Sequence, residues 1–205
     1  MKMNKIDSIN LIQESFKEMI FQNPLKKSPD DFSIAKLFGR PDLTQSQKIQ
    51  LGVRMEKWIN FIVDNHKGID SIKGKNSNLW VDTKTNKIVF SGNGKGLKDI
   101  DILFNIDGTT YYLEAKTNLN LDIEKGPATI EKVKTITECL KNDGNYSNVI
   151  GKVISVFWDE TNVPISGSMV NSGCIMWFSE FCKLLNFDIT KSDYENMCNE
   201  LGKLV

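Results

Sequence analysis

The sequence predicts an α/β protein with a mixed central sheet flanked by helices. Three observations carry that expectation. Apolar residues recur at helical spacing in the first third of the chain and again beyond its middle. Residues 99–120, DIDILFNIDGTTYYLEAKTNLN, are β-forming on both sides of an Asp107-Gly108 turn signal. Residues 149–158, VIGKVISVFW, are nearly continuous in hydrophobicity, the mark of a strand covered on both faces.

The elements follow in chain order. A helix over about 7–22 has Ile9, Ile12, Phe16, Met19 and Ile20 on one side and Pro24 as its stop. Ser28-Pro29-Asp30-Asp31 opens a short second helix, because proline is tolerated at the first helical position. Thr44 caps a long helix that runs to about Asn65, with Gly68 beyond it. Ile49, Val53, Ile59 and Val63 fall on one arc of that helix, and Glu56 lies inside the same arc. An unpaired buried carboxylate is costly. Glu56 therefore either points along the core toward a charged site, or snorkels or pairs with Arg54 or a lysine.

Within 79–91, LWV and KIVFS read as short strands around a polar turn at Thr85-Asn86. SGNGKGLK, residues 91–98, lacks the GxxxxGK[ST] frame of a nucleotide-binding loop and delivers the chain to Asp99. Lys95 and Lys98 in it either reach a phosphate or are solvated. After the hairpin, Pro127 stands near the start of a helix with the stripe Ile130, Val133, Ile136, Thr137 and Leu140, ended by Asp143-Gly144. Residues 159–173, rich in Ser, Gly and Asn, read as a loop. CIMWFSEFCKLL gives a short strand and a helix, and a last helix spans about Ser192 to Leu201.

The hairpin carries the chemistry. A type I′ turn needs positive φ at both central positions, which Asp-Gly supplies. Ile106 then pairs with Thr109; counting outward, Asp101 opposes Glu114 and Asp99 opposes Lys116. With a side-chain period of two, all four charges share one face. Like charges directly opposed are destabilising, so Asp101 facing Glu114 demands a positive partner. Lys116 is one candidate and a divalent cation the other. Magnesium takes one or two carboxylates plus waters and phosphate oxygens. Two carboxylates and a lysine thus form the pattern of a metal-assisted phosphodiester hydrolase. The plainer alternative is a solvated face with Asp99 and Lys116 as a surface ion pair.

Composition bounds the rest. A chain of 205 residues, 40% hydrophobic and 25% charged, suits a single globular domain. No apolar run reaches 18 residues and the N-terminus lacks a signal-peptide core, so a cytoplasmic protein is expected, with no membrane partner. Cys139, Cys174, Cys182 and Cys198 show no CxxC spacing and read as reduced thiols; with His66 as the only histidine, a zinc site is disfavoured. Twenty-six basic residues balance 26 acidic ones, which counts against a nonspecific nucleic-acid binder but not against a site-specific one.

An Asp at the head of one strand followed by Glu-x-Lys in the next, here Asp101 and Glu114-Ala115-Lys116, resembles the PD-(D/E)xK nuclease superfamily, and within it the type II restriction endonucleases. The proline of that signature is absent, since Ile100 precedes Asp101. The expected order over residues 44–158 is similar to the superfamily's αβββαβ core. The resemblance implies one nuclease domain over 1–205: an N-terminal helical segment 1–43, the catalytic core 44–158, and a C-terminal helical extension 159–205. It implies Mg²⁺-dependent cleavage of double-stranded DNA at a specific short sequence, by a homodimer if the site is palindromic. Asp101, Glu114 and Lys116 would be catalytic. Asp101, Glu114 and the Ala115 carbonyl would hold the metal, with Asp99 and Glu56 as further ligands. Lys116 would orient the attacking water. Lys95, Lys98, Asn118, Asn120 and Lys125 are the candidates for DNA contact. The rivals are a repair, junction-resolving or transposon-end nuclease of the same superfamily, and a noncatalytic DNA-binding module.

Overall fold

The structure, a computed structural model, describes residues 3–20, 37–39, 45–73, 79–90, 96–161 and 163–203. The chain is mixed α/β. Helix α1 (Lys5–Ile20) packs on α2 (Gln45–Asn65), and the strands β1 (Asp70–Ser71), β2 (Trp80–Asp82), β3 (Lys87–Val89), β4 (Leu97–Asp99), β5 (Ile102–Ile106) and β6 (Thr109–Lys116) follow. Helix α3 (Lys125–Asp143) leads into β7 (Ile150–Ser155); α4 (Gly167–Ser172), β8 (Ile175–Met176), α5 (Phe178–Leu184) and α6 (Lys191–Gly202) complete the order. Among the described residues no helix is long and apolar enough to cross a membrane.

Two sheets result. The larger has five strands in the order β1-β5-β6-β7-β8, and the smaller has three in the order β3-β2-β4. The β5–β6 hairpin is antiparallel with Ile106 opposite Thr109, the expected register, and its turn residues Asp107 and Gly108 have φ of 50° and 74°. From β6 onward the sheet turns parallel, because α3 carries the chain back to start β7 in the same direction as β6. Strand β7 lies between two neighbours, as its apolar run predicts.

Alternation along the strands divides the core in two. Ile102, Phe104, Ile106 and Leu113 face α2, α5 and α6, where Trp58, Ile62, Phe178 and Tyr194 are fully buried. Leu103, Tyr112 and Val153 face the other way, onto Val133, Ile136 and Leu140 of α3. Helix and sheet approach closely there. A Cβ on Gly151 of β7 would overlap the Thr137 side chain of α3 and touch Val133.

Two sequence expectations need correction. Asp99 does not continue the hairpin opposite Lys116. The strand breaks at Ile100-Asp101: Asp99 pairs with Trp80 in the small sheet, while Ile102 begins β5 in the large one. The Ile100 N–H donates to Leu79 O at 3.1 Å, and its side chain is fully buried against Leu79 and Val81, so burial of this apolar residue holds the chain in the small sheet. Second, the segment 159–173 holds α4, a short helix closed by Gly173 in the left-handed region (φ 61°), so its polar composition concealed helical structure. The expected helix at Ser28–Asp31, the stop at Pro24 and the cap at Thr44 lie outside the described residues.

Trp58 ties α1, α2 and α5 together. Its ring stacks on Phe178 with centroids 5.5 Å apart, and its Nε1 donates to Ile12 O at 3.2 Å. Trp58→Ala is expected to lower unfolding free energy by about 3–5 kcal/mol, read as a fall in urea midpoint. A loss under 1 kcal/mol would mean that this junction does not carry the core.

Candidate active site at the strand break

The break creates the site. Beyond Ile102↔Leu113 the hairpin register sets Asp101 beside Glu114, on the sheet face that α3 covers. Both are buried, with Asp101 8% and Glu114 2% exposed. Because Ile100 has left for the small sheet, the Ala115 N–H has no β5 backbone partner. It donates instead to Asp101 Oδ2 at 3.0 Å. The carboxylate thus replaces a ladder bond, which fixes its direction. From α2, Asn60 Nδ2 donates to the Asp101 carbonyl at 3.0 Å and to the Glu56 carbonyl at 3.0 Å.

Glu114 is held by three donors. Tyr112, two residues back on the same face, gives its hydroxyl to Oε2 at 2.8 Å. Lys116, two residues on, gives its ammonium to Oε1 at 2.7 Å. Lys132 of α3 reaches down from the helix, 2.5 Å from Glu114 Oε2 and 3.4 Å from Asp101 Oδ1. Lys132 therefore bridges the two carboxylates.

Electrostatics follow from this geometry. Burial, and then the Glu114 charge, push Asp101 up to about 6, against the pull of Lys132, the Ala115 N–H and Lys116. Burial pushes Glu114 up as well, but Lys116 and Lys132 outweigh it and hold the carboxyl below its ordinary value. One carboxylate of the opposed pair is thus fixed in the charged form while its neighbour is strained. Burial and the Glu114 charge drive the Tyr112 hydroxyl well above its usual range, so it remains a donor. Lys132, whose ammonium burial disfavours, is held charged by Asp101 and Glu114.

Glu56 joins the cluster electrostatically. Among the described residues it makes no ion pair within 4 Å, so pairing with Arg54 is not what the structure shows. Burial raises it to about 7, and Asp101, Asp99 and Glu114 push the same way against Lys73. Asp99, displaced from the hairpin, pairs with the buried Lys73 at 3.3 Å, not with Lys116. Among the described residues, four carboxylates (Glu56, Asp99, Asp101, Glu114) thus stand with three ammonium groups (Lys73, Lys116, Lys132), one negative charge in excess when all are ionised. Among the described residues the Asn60 Oδ1, buried at the edge of this cluster, has no donor.

The remaining candidates are more scattered. Asn118 Oδ1 accepts the Asn120 N–H at 2.9 Å, a local turn, and both residues are exposed just past β6. Lys125 opens α3 and pairs with Asp122 at 2.9 Å. Lys98 lies half-buried on β4, and Lys95 lies outside the described residues. The sequence reading missed Lys132, Lys73, Asn60 and Tyr112. A signal existed for three of them. Lys132 falls three residues after buried Thr129 and four before buried Ile136, within the helix stripe. Asn60 is one helical turn beyond Glu56, and Tyr112 shares the strand face of Glu114.

The donor set fits magnesium better than a softer metal. Among the described residues no group of three His, Cys, Asp or Glu side chains forms a protein-only cage. Magnesium does not require one, since it takes one or two carboxylates and completes its shell with water and phosphate. Among the described residues, the excess negative charge and the Asn60 oxygen without a donor both suit an added cation. Comparison of the chain with protein-family models, with curated proteins and with solved structures found no match.

The raised Glu56 predicts a pH dependence. Between its ordinary value of 4.5 and about 7 the folded chain binds a proton that the unfolded chain has lost, so metal-free stability falls as pH rises through that window. Asp101, raised to about 6, adds to the same slope at its lower end. Glu56→Gln is expected to flatten the upper part of the curve in denaturant melts taken with EDTA from pH 4.5 to 7.5. An unchanged slope would place Glu56 outside the cluster.

Proposed function

We propose that this chain is a Mg²⁺-dependent endonuclease that hydrolyses phosphodiester bonds of double-stranded DNA at a specific short sequence, built on a restriction-endonuclease-like core. The observation that carries the reading is the opposed pair Asp101 and Glu114 with the Lys116 ammonium 2.7 Å from Glu114, all at the C-terminal end of β6. This arrangement resembles the Asp…Glu-x-Lys site of PD-(D/E)xK nucleases. The end of a strand that begins a parallel pairing is also where open α/β sheets place ligands.

Asp101, Glu114 and the Ala115 carbonyl would hold the metal, with Glu56 and Asp99 close enough in charge to complete the acidic side of the site. Magnesium bound there supplies a lowered water pKa and neutralises charge on the phosphate oxygens. The chain's own residues do the rest. Lys116 donates an N–H toward the attacking water and the phosphate oxygen on which charge builds. The Ala115 N–H and Asn60 keep the Asp101 carboxylate and backbone from swinging away. Glu56, which burial and its acidic neighbours raise to about 7, would hold its carboxylate charged more readily beside a bound cation. A palindromic target implies a two-fold dimer of this chain, and Asn118, Asn120 and Lys125, on the exposed segment leaving β6, are the nearest candidates for contact with DNA.

One observation favours a noncatalytic reading: Lys132, together with Lys116, already offsets the charge of the opposed pair without a metal. Incubation with phage DNA separates the two. Discrete fragments are expected with Mg²⁺ and none with EDTA. Glu114→Gln, Asp101→Asn and Lys116→Met are each expected to cut at least about 100-fold more slowly, while Asp99→Asn, tied to Lys73, loses less. DNA retention without cutting by the wild type under any divalent ion would support the binding module instead.

A further inference from the structure

Lys132 is a cation standing where the proposed metal would act. Of the four oxygens on the opposed pair, Asp101 Oδ2 is committed to the Ala115 N–H and Glu114 Oε1 to Lys116. Lys132 bridges the other two, Asp101 Oδ1 at 3.4 Å and Glu114 Oε2 at 2.5 Å, the latter also accepting the Tyr112 hydroxyl at 2.8 Å. These are the oxygens that a metal shared by both carboxylates would use. Magnesium–oxygen distances are about 2.0–2.1 Å, so an ammonium and a divalent ion on the same oxygens would lie within a few ångströms of each other. Two cations at that separation repel strongly in a partly buried site.

The geometry of the two elements limits which cation can yield. Glu114 and Asp101 are fixed by strand backbone, by Tyr112 and by the Ala115 N–H. Lys132 is attached to α3 by a flexible four-carbon stem, and its side chain is 24% exposed, so it has a path to solvent. Lys116 has its own oxygen, Glu114 Oε1, and need not move.

We propose that Lys132 is the internal counter-ion of the metal-free site: it holds Asp101 and Glu114 together until a divalent cation displaces it, and in doing so it sets the metal affinity. Displacement frees its ammonium at the mouth of the same site, where a phosphate on the approaching strand would be its next partner. Lys132 is thus a positioning residue that exchanges with the metal, distinct in role from Lys116. The inference rests on the metal-dependent reading above.

The test uses metal and protein alone, without DNA. In the wild type, the rate at which an amine-acylating reagent modifies Lys132 is read by peptide mass spectrometry in EDTA and then in saturating Mg²⁺ or Mn²⁺. The Lys132 rate is expected to rise several-fold with metal, against unchanged rates at Lys141, nine residues on along α3 and paired with Glu138, and at Lys203, paired with Glu200. Calorimetric titration of Mn²⁺ into Lys132→Met is expected to show affinity about tenfold tighter than wild type, with lower stability in EDTA that Mn²⁺ restores. Metal binding with an unchanged or reduced Lys132 rate overturns the exchange and leaves the nuclease reading intact, as does weaker metal binding by the folded variant. Absence of divalent-ion binding by the wild type overturns both. The labelling arm needs no variant, so a failure of Lys132→Met to fold does not protect the proposal.

Discussion

Two buried carboxylates opposed across neighbouring strands set the terms for everything around them. Unit charges about 5 Å apart at an effective dielectric near 20 interact by roughly 3 kcal/mol, a sizeable part of the 5–15 kcal/mol that usually separates folded from unfolded chains. Asp101 and Glu114 cannot persist as neighbours without compensation. Each surrounding group answers part of that demand: Lys116 on one Glu114 oxygen, Tyr112 and Lys132 on the other, the Ala115 N–H on Asp101. Proteins rarely keep such an arrangement for stability, since apolar packing of equal volume usually serves as well or better. Its presence is itself an argument for chemistry.

The backbone makes the arrangement possible. A hairpin that ran unbroken from Asp99 would have placed two aspartates along one face of a regular ladder. Parting of the chain at Ile100 instead sends Asp99 to the small sheet and Lys73, and leaves Ala115 with an N–H that only the Asp101 side chain satisfies. The carboxylate is oriented by a deficit in secondary structure. Asn60, reaching across from α2 to the Asp101 carbonyl, joins the break to the helix that carries Glu56.

Much of this was legible in the residues. Asp107-Gly108 determined the turn, the turn determined the register, and the register brought Asp101 to Glu114. The apolar arc of α2 marked Glu56 as misplaced for a solvent-facing residue, and it stands within the field of the acidic cluster. The break was not legible, because the alternation of Asp99, Ile100 and Asp101 is as good for one long strand as for two. What distinguishes them is where Ile100 is buried, against Leu79 and Val81, a contact between segments that no local pattern encodes. Lys132 went unread for a different reason. A lysine in an apolar helix stripe raises the same question as a glutamate there, but the long stem of lysine makes snorkelling the easier assumption.

Gly151 bears on all of this while carrying no charge. Its missing side chain lets Thr137 and Val133 settle onto β7, and so determines how low α3 rides over the sheet. Lys132 hangs from the same helix, one residue before Val133, and a side chain has a finite length. The depth to which its ammonium descends is therefore set by a steric clearance between two uncharged surfaces. A methyl group at position 151 would act as a shim, lifting the helix and slackening the cation's hold on both carboxylates without altering any ionisable residue. The cluster's balance of charge is in this sense a mechanical adjustment, made at a neighbouring strand.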